Sequence, residues 1–476
     1  MSSHIPAAFD AARYIAANPD IFAAGVNTAD AAWRHYIDHG AAESLQGAAS
    51  RAPAPWFDAA WYLGQHPDLA AAGLSPPDLF IHFLTWGLAE GRLPKAGHRL
   101  TQDERIAVQA DYTLTPGHDD LTGSAGDDTF HAPLAMLDNT HTGTLQPGDR
   151  IDGGAGFDTL VAQLAGNVVA PRLDSVEHIQ LSAYYPSTLQ AAHIQGLQQL
   201  SIGQTFAALA VQQLPNLVSL DLSDIAAVQA GGQANHITLG YQPQALAGHS
   251  VQTITLDNVQ LQPGGAKLYL DADGPATLDV LDITVARAST LAGIEGAPKI
   301  GLPAASGILH GTHRVQITAH ESVDLGLLAA PNLQQLDAGP SRAGVSVDLS
   351  QVASPHLFIQ GGAGDDSFVL GAQATQLVHV VTGGGHDTLV LQGLAVTDAP
   401  VVLHGPHTAA DADAALAARL SAPDPVLVYW QDAGGQVWLG LDDNGGQDDN
   451  GAGIQLLAGI DDLAISQIAG GITLIY

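Results

Sequence analysis

"GGAGDDSFVL", Gly361 to Leu370, and "GGAGFDTLVA", Gly153 to Ala162, set two glycines, a third glycine, an aspartate and a large apolar residue in one order twice. Aligned on the aspartate they share the form G-G-x-G-x-D-x-U-x, with U a large apolar residue. "GSAGDDTFH" (Gly123 to His131) and "TGGGHDTLV" (Thr382 to Val390) fit it as well. The key pairs are Asp366 with Phe368, Asp158 with Leu160, Asp387 with Leu389, and Asp128 with Phe130. Two degenerate copies each precede a complete one by nine residues: Asp119 with Leu121 ahead of Asp128, and Asp149 with Ile151 ahead of Asp158.

Each copy reads as a turn followed by a short strand. Its glycines permit positive φ where the backbone curls and turns its carbonyls inward. They include Gly126, Gly154, Gly156, Gly362, Gly364, Gly383 and Gly385. The aspartate follows on the same loop and U points into the core. Carbonyl and carboxylate oxygens alone suit a hard cation such as Ca²⁺, not zinc or copper. The candidate ligands are therefore those glycines with Asp119, Asp128, Asp149, Asp158, Asp366 and Asp387. The nonapeptides resemble the repeats-in-toxin (RTX) family, whose copies form a calcium-binding parallel β-roll. There two nonapeptides make one coil, and same-edge aspartates lie eighteen residues apart. Here Asp119 to Asp149 and Asp128 to Asp158 are both thirty, which predicts two stacked coils with a twelve-residue insertion near "HAPLAMLDNTHT" (His131 to Thr142). Asp366 to Asp387 is twenty-one, and the opposite edge of that coil, near Leu357, lacks an aspartate. The expectation is a few calcium ions on incomplete ladders. A second acidic stretch, "LDDNGGQDDNGAG" (Leu441 to Gly453), offers Asp442, Asn444 and Asp448 as further ligands. It lacks the glycine and final glutamate of an EF-hand, and a solvated acidic hairpin explains it as well.

The rest of the composition agrees with a cation-dependent chain. Forty-eight acidic residues face fifteen basic ones, a net charge of −33 over 476 residues. That sign excludes a nucleic-acid binder, and a chain so acidic repels itself when compact unless cations neutralise it. Absence of cysteine excludes disulfides and thiolate metal sites. No apolar run is long enough to span a membrane as a helix. The N-terminus shows no basic segment followed by an apolar one, so no cleavable secretory signal is visible.

Outward from the nonapeptides the chain changes character. "FDAARYIAANPDIFAAG" (Phe9 to Gly25) returns as "FDAAWYLGQHPDLAAAG" (Phe57 to Gly73), and "HYIDHG" (His35 to Gly40) returns as "HFLTWG" (His82 to Gly87). These predict a small all-α domain of two similar modules. Asp10 and Asp58 cap the first helices, Pro19 and Pro67 stop them, and Gly25 and Gly73 end the next turn. Phe9, Tyr14, Tyr36 and their partners Phe57, Tyr62 and Phe83 read as core. Beyond about residue 110 the period falls toward two. "VEHIQLS", "LQQLSIG", "LVSLDLS", "VQTITLD", "LDVLDIT" and "LQQLDAG" follow between Val176 and Gly339, each one strand that must stack on a neighbour. A leucine-rich-repeat horseshoe lacks its asparagine ladder here, so the fold class expected is mainly β. It is a calcium-binding parallel β-roll or β-solenoid behind the helical domain. The segments are 1–100 (helical), 101–170 (nonapeptide coils), 171–350 (solenoid) and 351–476 (nonapeptide coils and a C-terminal β region).

No H-E-x-x-H, G-x-S-x-G, P-loop or dinucleotide signature occurs, so catalysis is not expected. As a whole the chain resembles the RTX-type surface-layer and cell-surface proteins of Gram-negative bacteria, through the nonapeptides, the "FDAAxYxxxxPD" modules and "SVEHIQLS". That resemblance implies a non-enzymatic, self-assembling surface-layer subunit, secreted and held at the cell surface by its N-terminal domain on lipopolysaccharide or another surface glycan. It also implies a type I secretion apparatus that reads an uncleaved C-terminal signal, for which "DDLAISQIAGGITLIY" (Asp461 to Tyr476) is the candidate. The alternatives are a secreted RTX adhesin or biofilm-matrix protein and, more remotely, a secreted hydrolase.

Overall fold

The computed structural model describes residues 8–87, 92–100, 111–124, 126–137, 139–226, 229–230, 233–261, 265–297, 307–371, 377–392, 401–406, 426–431, 437–442, 453–456, 464–468 and 471–475. Side chains beyond residue 392 are not described. Two compact units result, one of Met1–Gln163, Val169–Gln180 and His193–Gln198, the other of Leu164–Val168, Leu181–Ala192 and Gln199–Tyr476.

The first unit begins with the helical modules. Helices Ala11–Ala16, Pro19–Ala23, Ala29–His35 and Ala41–Leu45 form one, and Ala59–Gln65, Pro67–Ala71 and Pro76–His82 belong to the other. The Arg13 amide donates to Asp10 Oδ1 at 2.9 Å and the Trp61 amide to Asp58 Oδ1 at 2.9 Å, satisfying otherwise unpaired first-turn donors. Pro19 and Pro67 occupy the first turns of the following helices, where a missing N–H costs nothing. The duplication has a stereochemical reason. Tyr14 Oη is hydrogen bonded to His35 Nδ1 at 3.0 Å, and Tyr62 Oη to His82 Nδ1 at 3.0 Å. A Cβ at Gly40 or Gly87 would overlap these hydroxyls. The histidine and glycine of "HYIDHG" and "HFLTWG" thus make the seat of a buried tyrosine. Phe9, Tyr14, Trp33, Tyr36, Trp56, Phe57, Tyr62, Phe80 and Phe83 fill one aromatic core across both modules.

Beyond them the first unit is built of parallel coils. Asp120–Thr122, Arg150–Asp152 and Arg172–Asp174 pair in register, so Leu121, Ile151 and Leu173 share a column. On the other face Tyr112, Phe130 and Leu160 share one. The thirty-residue spacing of the aspartates is the register of this stack. The residues in excess form an antiparallel hairpin, Leu134–Leu137 with Thr140–Gly143.

In the second unit the described residues build two columns of parallel strands. One column runs Leu200, Leu220, Ile254, Ile283 and Ile317; the other runs Leu209, Ile237, Leu268, Ile294 and Leu328. All of these side chains are buried, because alternate residues of each strand face the interior. This is a β-solenoid, not a horseshoe. The sequence motifs marked strands of the first column and missed Arg314–Ala319 within it, as well as strands of the other column such as Ile237–Tyr241 and Leu268–Ala272. One polar network lies inside: Tyr241 Oη donates to Gln252 Oε1 at 2.5 Å, while Gln252 Nε2 donates to Val218 O at 2.9 Å. At the C-terminal end, Thr388–Gln392 pairs antiparallel with Gly471–Ile475, which pairs with Ala464–Ile468. The candidate export signal therefore lies against a nonapeptide strand.

Candidate metal centre

Asp149 and Asp366 divide their two oxygens between their own turn and the adjacent coil, whereas Asp119 and Asp128 bond residues of their own turn through both. Asp119 Oδ2 accepts from the Thr115 amide at 2.8 Å, Asp149 Oδ2 from Gln146 at 2.7 Å, Asp366 Oδ2 from Gly362 at 2.7 Å, and Asp128 from Ser124. Asp149, Asp158 and Asp387 each accept an amide from the adjacent coil. Asp119 N–H donates to Asp149 Oδ1 at 3.0 Å, Asp128 N–H to Asp158 Oδ1 at 2.7 Å, and Asp366 N–H to Asp387 Oδ1 at 2.9 Å. Among the described residues two ladders stand in the first unit and one in the second, where Val345 N–H also donates to Asp366 Oδ1 at 2.8 Å. Asp128, Asp149, Asp158, Asp366 and Asp387 are all buried; Asp119 is half-buried.

Asp158 lacks the bond from its own turn. The residue four before it, Gly154, donates its amide to Asp152 Oδ1 at 3.1 Å instead. Asp158 Oδ2 is therefore buried with no hydrogen-bond partner. Glu177 ends this ladder, its Oε2 accepting the Asp158 amide at 2.9 Å. Sequence reasoning missed Glu177. It lies nineteen residues on from Asp158, a spacing no nonapeptide shares, and inside "SVEHIQLS", which reads as a strand. Only the coil register brings it to the acids.

Glycines make room for oxygen. A Cβ on Gly153 would overlap Ser175 O and stand 2.5 Å from Asp158 Oδ2. The same pair of neighbours, a carbonyl of the next coil and the turn's own carboxylate, surrounds Gly123 (Gly153 O, Asp128 Oδ2) and Gly361 (Thr382 O, Asp366 Oδ2). Gly154, Gly156, Gly383 and Gly385 hold positive φ of 92°, 137°, 95° and 112°. Gly362 and Gly364 are needed for closeness: a Cβ on Gly362 would come 2.7 Å from Ser341 O, and one on Gly364 would overlap Gly344 N. Gly126 O faces Gly156 in the same manner. Asp442 ends the strand Val437–Asp442, opposite Val426, and that strand pairs antiparallel with Gly453–Leu456. This is a hairpin whose connecting residues, with Asn444 and Asp448, lie outside those described.

The electrostatics of the ladders are those of carboxylates lacking a counter-charge. Burial, then the charges of Asp128, Glu177 and Asp127, push the Asp158 carboxyl up to about 8. Burial, reinforced by the Asp387 and Asp365 charges, pushes Asp366 up to about 6, and Asp149 and Asp387 are raised with burial as the main cause. Among the described residues no three acidic or histidine side chains converge on one point. The donor set is instead mixed, one or two carboxylates with several carbonyls. An orphaned carboxylate oxygen beside a carbonyl, in space only glycine leaves open, fits a hard divalent cation and not zinc. Bound there, the ion supplies positive charge to acids that otherwise hold a proton or repel. Asp158 and the Ser175 carbonyl would hold it in the first unit, and Asp366, Asp387 and the Thr382 carbonyl in the second.

Fold and site together define a calcium-binding β-solenoid of stacked glycine-aspartate coils. The chain carries four copies of the RTX calcium-binding nonapeptide repeat, matched over residues 114–132, 148–163 and 358–377. Those residues take in Asp119, Asp128, Asp149, Asp158 and Asp366. Asp387 lies outside them, yet strand register places it on the same ladder as Asp366. Nonapeptides of this family bind calcium, and the proteins that carry them are typically secreted. No curated protein shows significant similarity to the chain.

Proposed function

We propose that this RTX-type protein is a non-enzymatic structural subunit of a surface layer, exported through a type I apparatus that reads its C-terminal strands and assembled outside the cell by calcium. The observation that carries the reading is the orphaned oxygen of Asp158 among buried like charges, since it ties close stacking of the coils to a cation that is scarce inside cells and plentiful outside. Extracellular calcium modules bind at about 10⁻⁴ to 10⁻³ M, so the chain stays loose for export and folds on release. Self-association is supported by aromatic surface on the second unit, where Tyr184, Tyr185 and Phe206 are exposed and Tyr184 and Phe206 lie 5.6 Å apart. The helical modules, whose aromatic residues apart from the exposed Phe22 lie mostly in their own core, would meet lipopolysaccharide or another surface glycan through their exterior.

Electron microscopy of the purified full chain with and without calcium tests the assembly. Periodic sheets that dissolve on chelation are expected. Calcium-folded particles that stay monomeric or fibrous would overturn the lattice and leave a secreted adhesin or matrix protein.

A further inference from the structure

A groove of about 750 Å³ lies on the second unit, away from the aspartate ladders. Strand register builds its wall, with Arg314 beside Gln335, Gln335 beside Phe358, and Phe358 beside His379. Their neighbours Val315, Leu336, Ile359 and Val380 are buried, so alternation turns this column to the outside. His313 and His356 add their rings to the lining.

The chemistry of the groove inverts that of the molecule. In a chain with 48 acidic and 15 basic residues, none of the described residues lining it is acidic, while an arginine and three histidines are among them. Arg314 is held by its far end, with Nη2 3.3 Å from Gln316 Oε1 and 3.8 Å from Asp337 Oδ2. Its Nε–H is buried with no partner. The side chain is 43% exposed, so its charge stands open to an anion in the groove. Phe358, half-buried in the middle of the column, offers an apolar platform. Successive strands are ~4.8 Å apart, so the three steps from Arg314 to His379 span about 14 Å, comparable to a short run of linked sugars.

We propose that this groove binds an acidic saccharide, a chain of pyranose units bearing carboxylates. A carboxylate meets Arg314, the apolar face of a ring lies on Phe358, and the histidine rings and the Gln335 amide hydrogen bond to hydroxyls. Inorganic phosphate would satisfy Arg314 but would use neither the platform nor the length of the groove.

Titration calorimetry on the full chain, at constant free calcium, tests this with three probes: a hexuronate trisaccharide, its carboxyl-reduced neutral counterpart, and inorganic phosphate. The acidic trisaccharide should bind at least tenfold more tightly than either. Arg314→Gln should remove that advantage, and His379→Ala, which leaves the Arg314–Asp337 pair in place, should weaken binding severalfold. Both variants should keep the calcium-induced circular dichroism of the parent. Equal binding of the neutral sugar, phosphate binding as tight as that of the acidic sugar, or unchanged affinity in both variants would overturn the proposal.

Discussion

Asp158 has one carboxylate oxygen more than its turn can use, and that oxygen sets the ion dependence of the first unit. Replacing it by asparagine removes the charge and keeps the shape. In chelator, Asp158→Asn should raise the melting temperature by a few degrees, because a buried unpaired charge is lost. In calcium it should melt lower than the parent, because a ligand is lost. An Asp158→Asn chain less stable than the parent under both conditions would mean that the carboxylate is satisfied by the protein alone. The sign of the pH dependence follows from the same group. Its folded pKa, about 8, stands above the ordinary value of 3.8, so between the two the folded state binds more protons than the unfolded one. Stability of the metal-free chain is therefore greatest in acid and falls as pH rises toward 8. Thermal melts in chelator at pH 5 and pH 8 should show that fall, and Asp158→Asn should make it shallower. Equal slopes in the two chains would refute the assignment.

Elements in this molecule are short, and what fixes each is a seat prepared by another. Helices Ala11–Ala16, Pro19–Ala23, Ala59–Gln65 and Pro67–Ala71 span five to seven residues, too few to be stable by propensity alone, while Ala29–His35 and Pro76–His82 are prolonged by the π-helical turns Tyr36–Gly40 and Phe83–Gly87. They are held by buried aromatic rings, above all Tyr14 and Tyr62 on their glycines. Gly40→Ala should destabilise the helical signal by roughly 1–3 kcal/mol through overpacking. Tyr14→Phe alone should cost about 1 kcal/mol for its hydrogen bond to His35. Together the two should cost less than their sum, since removing the hydroxyl makes room for the methyl. Additive losses in circular dichroism melts would show that the alanine clashes elsewhere. Strands of the second unit obey the same logic. A five-residue strand such as Leu268–Ala272 buries Leu268 and Leu270 only because Ile237–Tyr241 lies beside it.

At the scale of the whole molecule, a net charge of −33 opposes compaction. Monovalent salt screens exposed charges over about 10 Å at 0.1 M but does not enter the ladders, where acids are buried among carbonyls. Calcium at about 10⁻⁴ to 10⁻³ M should therefore shrink the metal-free chain in sedimentation velocity and sharpen its thermal transition. Sodium chloride of equal ionic strength should do little of either. If salt compacted the chain as well as calcium does, the acids would be acting as diffuse charge and not as ligands.

Read alone, the nonapeptides determined the local chemistry: where the backbone turns, which carboxylates sit on the turns, and that oxygen ligands call for a hard cation. The duplication determined that the chain begins with two like helical modules, and the equal thirty-residue gaps determined that two coils stack. These are short-range properties, written in glycine, aspartate and apolar residues a few positions apart. Register between coils is long-range, and only the tertiary structure decided what it brings together. It set Glu177 beside Asp158, left Asp158 Oδ2 without a donor when Gly154 turned to Asp152, and aligned Arg314, Phe358 and His379 along one groove. Loops of unequal length separate those residues in the chain, so no fixed spacing announces them; they meet because each coil must lay its apolar column on the one before it.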